Sequence, residues 1–202
     1  MPSPASPPAR ATAALQLDLA GQLRVQARAN RLANHRLHAA MAALPQAEFD
    51  APRTGFFPSL AATLNHILAV DLYYVGALRG EADLPARYRA FAASPTLADL
   101  ADRQRASDAR LIEFCDALDA AGCAVPVAMD RGSHVQRDRA AHVLAHLFMH
   151  QTHHRGQAHA MLAGTAVAPP QLDEFLMPSD AGLRVADMAA LGWSEVEVYG
   201  TP

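Results

Sequence analysis

Residues 146–162 read HLFMHQTHHRGQAHAML, inside a segment (134–159) that holds seven of the chain's ten histidines. Apolar residues recur among the imidazoles at helical spacing, which predicts a helix from about 137 to 163, ended by Gly164. A helical residue advances about 100 degrees, so positions i and i+4 lie nearly above one another. His142, His146, His150 and His154 form such a ladder, continued by Gln157 and Met161 and flanked by Val143 and Leu147. The face that meets other helices is therefore expected to carry imidazoles as well. His153 sits at its edge, and His159 points the opposite way.

Two histidines at i and i+4 can turn a ring nitrogen toward one cation, the spacing used by HExxH zinc helices. Here Gln151, Thr152 and His153 intervene without a glutamate, so the general base of a metalloprotease is missing. A pair retains a divalent ion poorly, and a third ligand has to come from a facing helix. His66, in LNHILAV among Leu64, Ile67, Leu68 and Val70, is the obvious candidate. Alone, a histidine in that setting is more often a hydrogen-bonded core residue; opposite the ladder, ligation becomes the stronger reading.

Working outward, a first helix is expected over about 14–44, stopping before Pro45. A connection rich in breakers follows, with Pro52, Gly55 and Pro58. Ser59 can cap a second helix that ends near Gly80, and Thr96 with Asp99 resembles a capping box opening a third, which stops at Gly122. Residues 123–136 read as an extended loop or irregular hairpin before the histidine helix. Beyond Thr165 come Pro169 and Pro170, a short helix near 184–191, and WSEVEVYG as a short strand or ordered tail. The expected fold is all-α, an antiparallel four-helix bundle. The expected organisation is a disordered leader (1–13), the bundle (14–175), and a C-terminal extension packed on it (176–202).

Composition sets the outer bounds. The 202 residues suit one domain, and 51% are hydrophobic, much of that alanine, which favours closely packed helices. There is no lysine, and the net charge is −3, which gives no reason to expect nucleic-acid binding. Cys115 and Cys123 form neither a CxxC pair nor a disulfide framework, pointing to a reducing cytoplasm. The start, MPSPASPPAR, lacks the basic and apolar regions of a signal peptide. No apolar run approaches membrane-spanning length, so a soluble protein is expected.

LNHILAVDLYYVGALRG followed by HLFMHQTHHRGQAHAML resembles the DinB (damage-inducible) family over roughly residues 16–175, most strongly at HxxxHRGQ (150–157) after the histidine at 66. The wider superfamily includes mycothiol-dependent maleylpyruvate isomerases and bacillithiol S-transferases. The resemblance implies a four-helix bundle of up-down-down-up topology holding a divalent metal such as zinc or nickel. Its implied ligands are His66, His150 and His154, with His146 and His153 outside the set. Three neutral imidazoles leave the ion its full charge and an open position, as in catalytic sites.

Several neighbours have open readings. Gln157 can orient a ligand histidine or fill a polar gap between helices. Tyr73, two turns beyond His66, can line a pocket but is more simply core; Asp71 and Tyr74 lie beside it. Asn30 and Asn34 suit either polar cavity contacts or interhelical hydrogen bonds. Arg155 suggests an ion pair or subunit contact, Gly156 a close helix approach, and Met149 and Met161 packing. Cys115 and Cys123 are core or surface thiols.

The leading function is a metal-dependent enzyme of thiol-transferase or hydrolase type, with a small thiol as possible cosubstrate and His146, His153 or a buried tyrosine as candidate base. The other class is a non-catalytic metal-binding stress-response protein. A homodimer is expected in either case.

Overall fold

The computed structural model describes residues 18–200, so the leader and residues 14–17 of the expected first helix lie outside the described residues. The chain is predominantly helical with one small two-stranded sheet. Four long helices dominate: α1 (Leu19–Met41), α3 (Leu60–Leu78), α5 (Leu97–Asp116) and α7 (Ala140–Leu162). Between them come α2 (Gln46–Asp50), α4 (Leu84–Arg89), α6 (Ala120–Ala124) and the strands β1 (Pro126–Asp130) and β2 (Val135–Arg139).

The capping signals act as their chemistry requires. Asp18 accepts from Gly21 N at 2.7 Å, Ser59 from Ala62 N at 3.1 Å and Thr96 from Asp99 N at 3.2 Å. Each satisfies an amide that lacks an intrahelical partner, a contribution of about 1 kcal/mol. The third helix ends at Asp116, earlier than the expected stop at Gly122. Asp119 accepts from Gly122 N at 2.7 Å and opens the separate α6, which contains Cys123.

Residues 126–139 form a regular antiparallel hairpin, with Pro126 opposite Arg139 and Asp130 opposite Val135. Gly132 takes φ +83°, and its amide donates to Asp130 Oδ1 at 2.7 Å, closing the turn. Pairing of Val135–Arg139 delays the start of α7 to Ala140, three residues later than expected.

Two apolar clusters fill the interior. One joins Leu23 and Ala27 of α1, Val75 and Leu78 of α3, Leu111 and Cys115 of α5, and Leu144 and Leu147 of α7. The second joins Leu37 and Met41, Leu60 and Leu64, Leu100, and Ala158 and Leu162. Ala20, Ala27 and Ala158 are fully buried, so alanine does permit close helix approach.

The last segment holds a 3₁₀ turn (Pro178–Leu183), α8 (Val185–Leu191) and α9 (Glu195–Tyr199). The expected strand or tail at 193–200 is thus a helix instead. Ser194 and Glu197 form a reciprocal capping box that outweighs the β-prone valines. Phe175, Met188 and Val198 pack on Ala29, Leu32 and Ala33 of α1. The fully buried Arg184 donates to both carboxylate oxygens of Glu195 at 2.8 Å.

Candidate metal centre

The centre forms where α3 and α7 meet. Thr63 contacts Met161, His66 contacts His150, and Tyr74 packs on His146, so the two helices run in opposite directions. His66 Nε2 lies 3.0 Å from His150 Nε2. One ring nitrogen from each of His66, His150 and His154 lies within 4.8 Å of the others. The structure brings these three rings together from two distant segments, and among the described residues no other His, Cys, Asp or Glu joins the group.

Local contacts aim the rings. Gln157 Oε1 lies 2.8 Å from His154 Nδ1 and accepts its proton, so the lone pair of neutral His154 is on Nε2. The Gln157 amide in turn donates to His153 Nε2 at 3.1 Å. Phe57, from the loop after α2, packs with its ring centre 4.4 Å from that of His66 and 5.6 Å from that of His154, covering one side of the two rings.

Burial, reinforced by the His154 imidazole, holds His66 below the usual histidine range. Burial and then the neighbouring imidazoles push His150 down to about 4. Burial lowers His154 too, opposed in part by the Gln157 hydrogen bond. The rings are therefore neutral near pH 7, the form that donates a lone pair to a metal. His150 Nδ1 is buried without a hydrogen-bond partner. The donor set could hold a metal ion, for which imidazole nitrogen is a suitable ligand.

At the same level, between the two apolar clusters, a belt of buried polar groups crosses all four long helices. Asp71 Oδ2 accepts from Gln104 at 2.6 Å and from Gln151 at 2.7 Å. Asp108 accepts from Asn34 at 3.0 Å and Gln104 at 3.1 Å. Arg155 donates to Asn34 at 3.0 Å and Gln151 at 2.8 Å, and also to Asn30. Burial raises Asp108 to about 6 and Asp71 well above the ordinary carboxyl range, and lowers Arg155 to about 10. The belt fixes Gln151, the residue after His150, in rotation.

Other expectations are redistributed. His142 and His146 are exposed, so only the C-terminal half of the ladder turns inward. Arg155 is buried and hydrogen-bonds amides within the chain, with Asn30 and Asn34 as its interhelical partners. Gly156 does not mediate close approach, because a Cβ there would meet nothing within 4 Å. That role falls to Gly76 of α3, where a Cβ would lie 2.6 Å from Leu84 Cδ2 of α4. Met149 is 71% exposed and packs nothing substantial, whereas Met161 is buried. Both cysteines are buried. Tyr73 is buried but reaches a cavity wall, with its hydroxyl donating to the Asp130 carbonyl. The sequence reading missed the belt residues Gln104, Asp108 and Gln151. Their signal was a polar side chain at positions that helical periodicity places on the inner faces.

No helix among the described residues is long and apolar enough to cross a membrane. The family model described as the DinB family matches residues 21–184. None of the curated proteins compared with the chain matches it.

Proposed function

The chain belongs to the DinB family, and from that premise we propose a divalent-metal-binding protein that works as a metal-dependent enzyme of thiol S-transferase or hydrolase type. His66, His150 and His154 hold the ion, zinc or nickel. The observation that carries this reading is the approach of three neutral ring nitrogens to within 4.8 Å of one another. When bound, the ion supplies Lewis acidity and an open coordination position, as three-ligand sites do.

The protein's own groups do the positioning. Gln157 selects the His154 tautomer, Phe57 packs on the His66 ring, and the buried belt holds α7 in rotation beside α3. His146, exposed and 6.4 Å from His150 between ring centres, is the candidate base on this reading.

We read the long helices as a four-helix bundle of up-down-down-up topology. Support comes from side-chain pairing: Arg28 with Asp116 and Asn34 with Asp108 set α1 against α5, while Asp71 with Gln104 and Arg79 with Glu113 set α3 alongside α5. We also place the protein in the cytoplasm as a homodimer; light scattering on the purified chain tests the dimer.

A second reading, a non-catalytic metal-binding protein of a stress response, is favoured by two engaged groups. His153 Nε2 is occupied by Gln157 and the Tyr73 hydroxyl by Asp130, which leaves fewer candidates for a base. The deciding experiment is metal content after purification of untagged protein without added metal, followed by a thiol-conjugation and hydrolase screen. Bound metal with metal-dependent turnover supports the enzyme. Stoichiometric metal without turnover supports the second reading, and absence of metal affinity overturns both.

A further inference from the structure

A cavity of about 420 Å³ opens directly beside the three-histidine cluster, with His150 and His146 in its wall. Its other walls come from three places: Tyr73 and Tyr74 on α3, Tyr88 and Arg89 on α4, and Asp130 and Arg131 at the hairpin turn. Its volume suits a small organic molecule. Its chemistry says which kind.

Arg131 is built into the wall. Its Nε donates to Gln136 Oε1 at 3.1 Å and its Nη2 to the Tyr74 hydroxyl at 3.0 Å. The guanidinium also lies over the rings of Tyr73 and Tyr74, at 5.2 and 5.4 Å. Arg89 reaches the same turn, since a Cβ on Gly132 would stand 4.0 Å from Arg89 Nη1. Among the described residues neither arginine pairs with a carboxylate, although nearby Arg87 pairs with Glu81 at 2.6 Å and Arg79 with Glu113 at 2.9 Å. Asp130 is the cavity's acidic group, and its Oδ1 is engaged by the Gly132 amide in the turn. Two guanidiniums against one carboxylate leave one positive charge, which matches a monoanion. Planar guanidinium forks suit a carboxylate, and the tyrosine rings suit a flat or apolar body.

We propose that this cavity binds a small organic carboxylate, with its carboxylate on Arg89 and Arg131, its body against Tyr73, Tyr74 and Tyr88, and its far end toward His150. The orientation toward His150 rests on the metal-centre reading above; the binding itself rests on the arginines alone. The carboxylate belongs either to the molecule transformed or to a thiol cosubstrate.

The test is calorimetric titration of the zinc-loaded and metal-stripped full chain with benzoate, with its neutral isostere benzamide, and with mercaptoacetate. Benzoate is expected to bind both forms, and benzamide about tenfold more weakly or worse. Arg89→Gln and Arg131→Gln should each weaken benzoate about tenfold and leave benzamide unchanged. Both side chains are exposed, so an unchanged melting temperature separates lost recognition from lost folding. Benzoate binding that survives metal stripping but needs the arginines supports the cavity even if the metal reading fails. Equal binding of benzamide, no benzoate binding at millimolar concentration, or binding that needs metal and ignores both substitutions overturns it. Mercaptoacetate that competes with benzoate and binds the zinc-loaded chain more tightly than the stripped one assigns the carboxylate to the thiol cosubstrate. Mercaptoacetate that binds alongside benzoate assigns it to the other substrate.

Discussion

Gln157 Oε1 lies 2.8 Å from His154 Nδ1, and that contact decides which nitrogen of neutral His154 carries the lone pair. Replacing Gln157 with leucine keeps all three imidazoles and removes only the acceptor. Loss of such a supporting hydrogen bond typically costs roughly 10–100-fold in metal affinity. Competition with a chromophoric chelator measures it, and an affinity equal to the wild type would show that the contact orients nothing of consequence.

The three rings themselves should be far less dispensable. His66→Ala and His154→Ala are each expected to reduce metal occupancy strongly, whereas His159→Ala is not, because its Nε2 faces the Pro170 carbonyl at 3.0 Å, away from the cluster. Elemental analysis of the three purified variants checks this. Equal occupancy in all three refutes the ligand assignment.

Proton competition follows from the lowered imidazole values. Free histidine titrates at about 6.5, but burial first, and neighbouring imidazoles next, lower all three rings, His150 to about 4. Metal affinity should therefore change little from about pH 7.5 to 6.5 and fall below that, most steeply toward pH 4. In the metal-free chain the folded pKa is the depressed one. The unfolded chain then binds more protons, and this contribution to stability is lost as pH falls from about 6.5 toward 4. Zinc affinity measured across that range tests the first statement, and urea unfolding of stripped protein the second.

Asp71 titrates with the opposite sign. Burial first, and Asp108 next, raise its folded pKa above the ordinary carboxyl value, against the hydrogen bonds from Gln104 and Gln151 and the charge of Arg155. Its favourable contribution is present when it is protonated and is lost as pH rises through the folded value. Asp71→Asn keeps an acceptor for Gln104 and Gln151 and removes the ionisable group. The variant should gain less stability than the wild type on acidification from pH 8 to 5. Parallel pH dependences of the two urea midpoints would show that Asp71 does not titrate in this range.

Gly156→Ala should stabilise the protein by roughly 0.5–1 kcal/mol, because a helix-interior glycine costs backbone entropy and here has open space around it. Thermal melting measures the gain. A lowered melting temperature would mean that another surface occupies that space.

The long helices were legible because periodicity, Ser59, Thr96, Gly80 and Gly164 are local signals, and local signals survive in one dimension. The HxxxHRGQ segment and His66 could likewise be nominated as partners, since ligand chemistry restricts the residue types. The boundaries that failed lie where two local tendencies compete. At 193–200 the Ser194–Glu197 cap prevails over valine's strand preference, and at 137–139 hairpin pairing takes residues that could have extended α7.

By itself the sequence determined the helical class and a short set of imidazoles able to share a cation, because spacing along a helix fixes which side chains share a face. Tertiary structure decided the rest. It turned His150 and His154 inward and left His142 and His146 exposed, and it assembled Asn34, Asp71, Asp108, Gln151 and Arg155 into one belt from four helices. It also brought Arg89 and Arg131 to one cavity from separate segments. Helix rotation and the meeting of distant residues depend on which surfaces pack together, and no local pattern of residues encodes that.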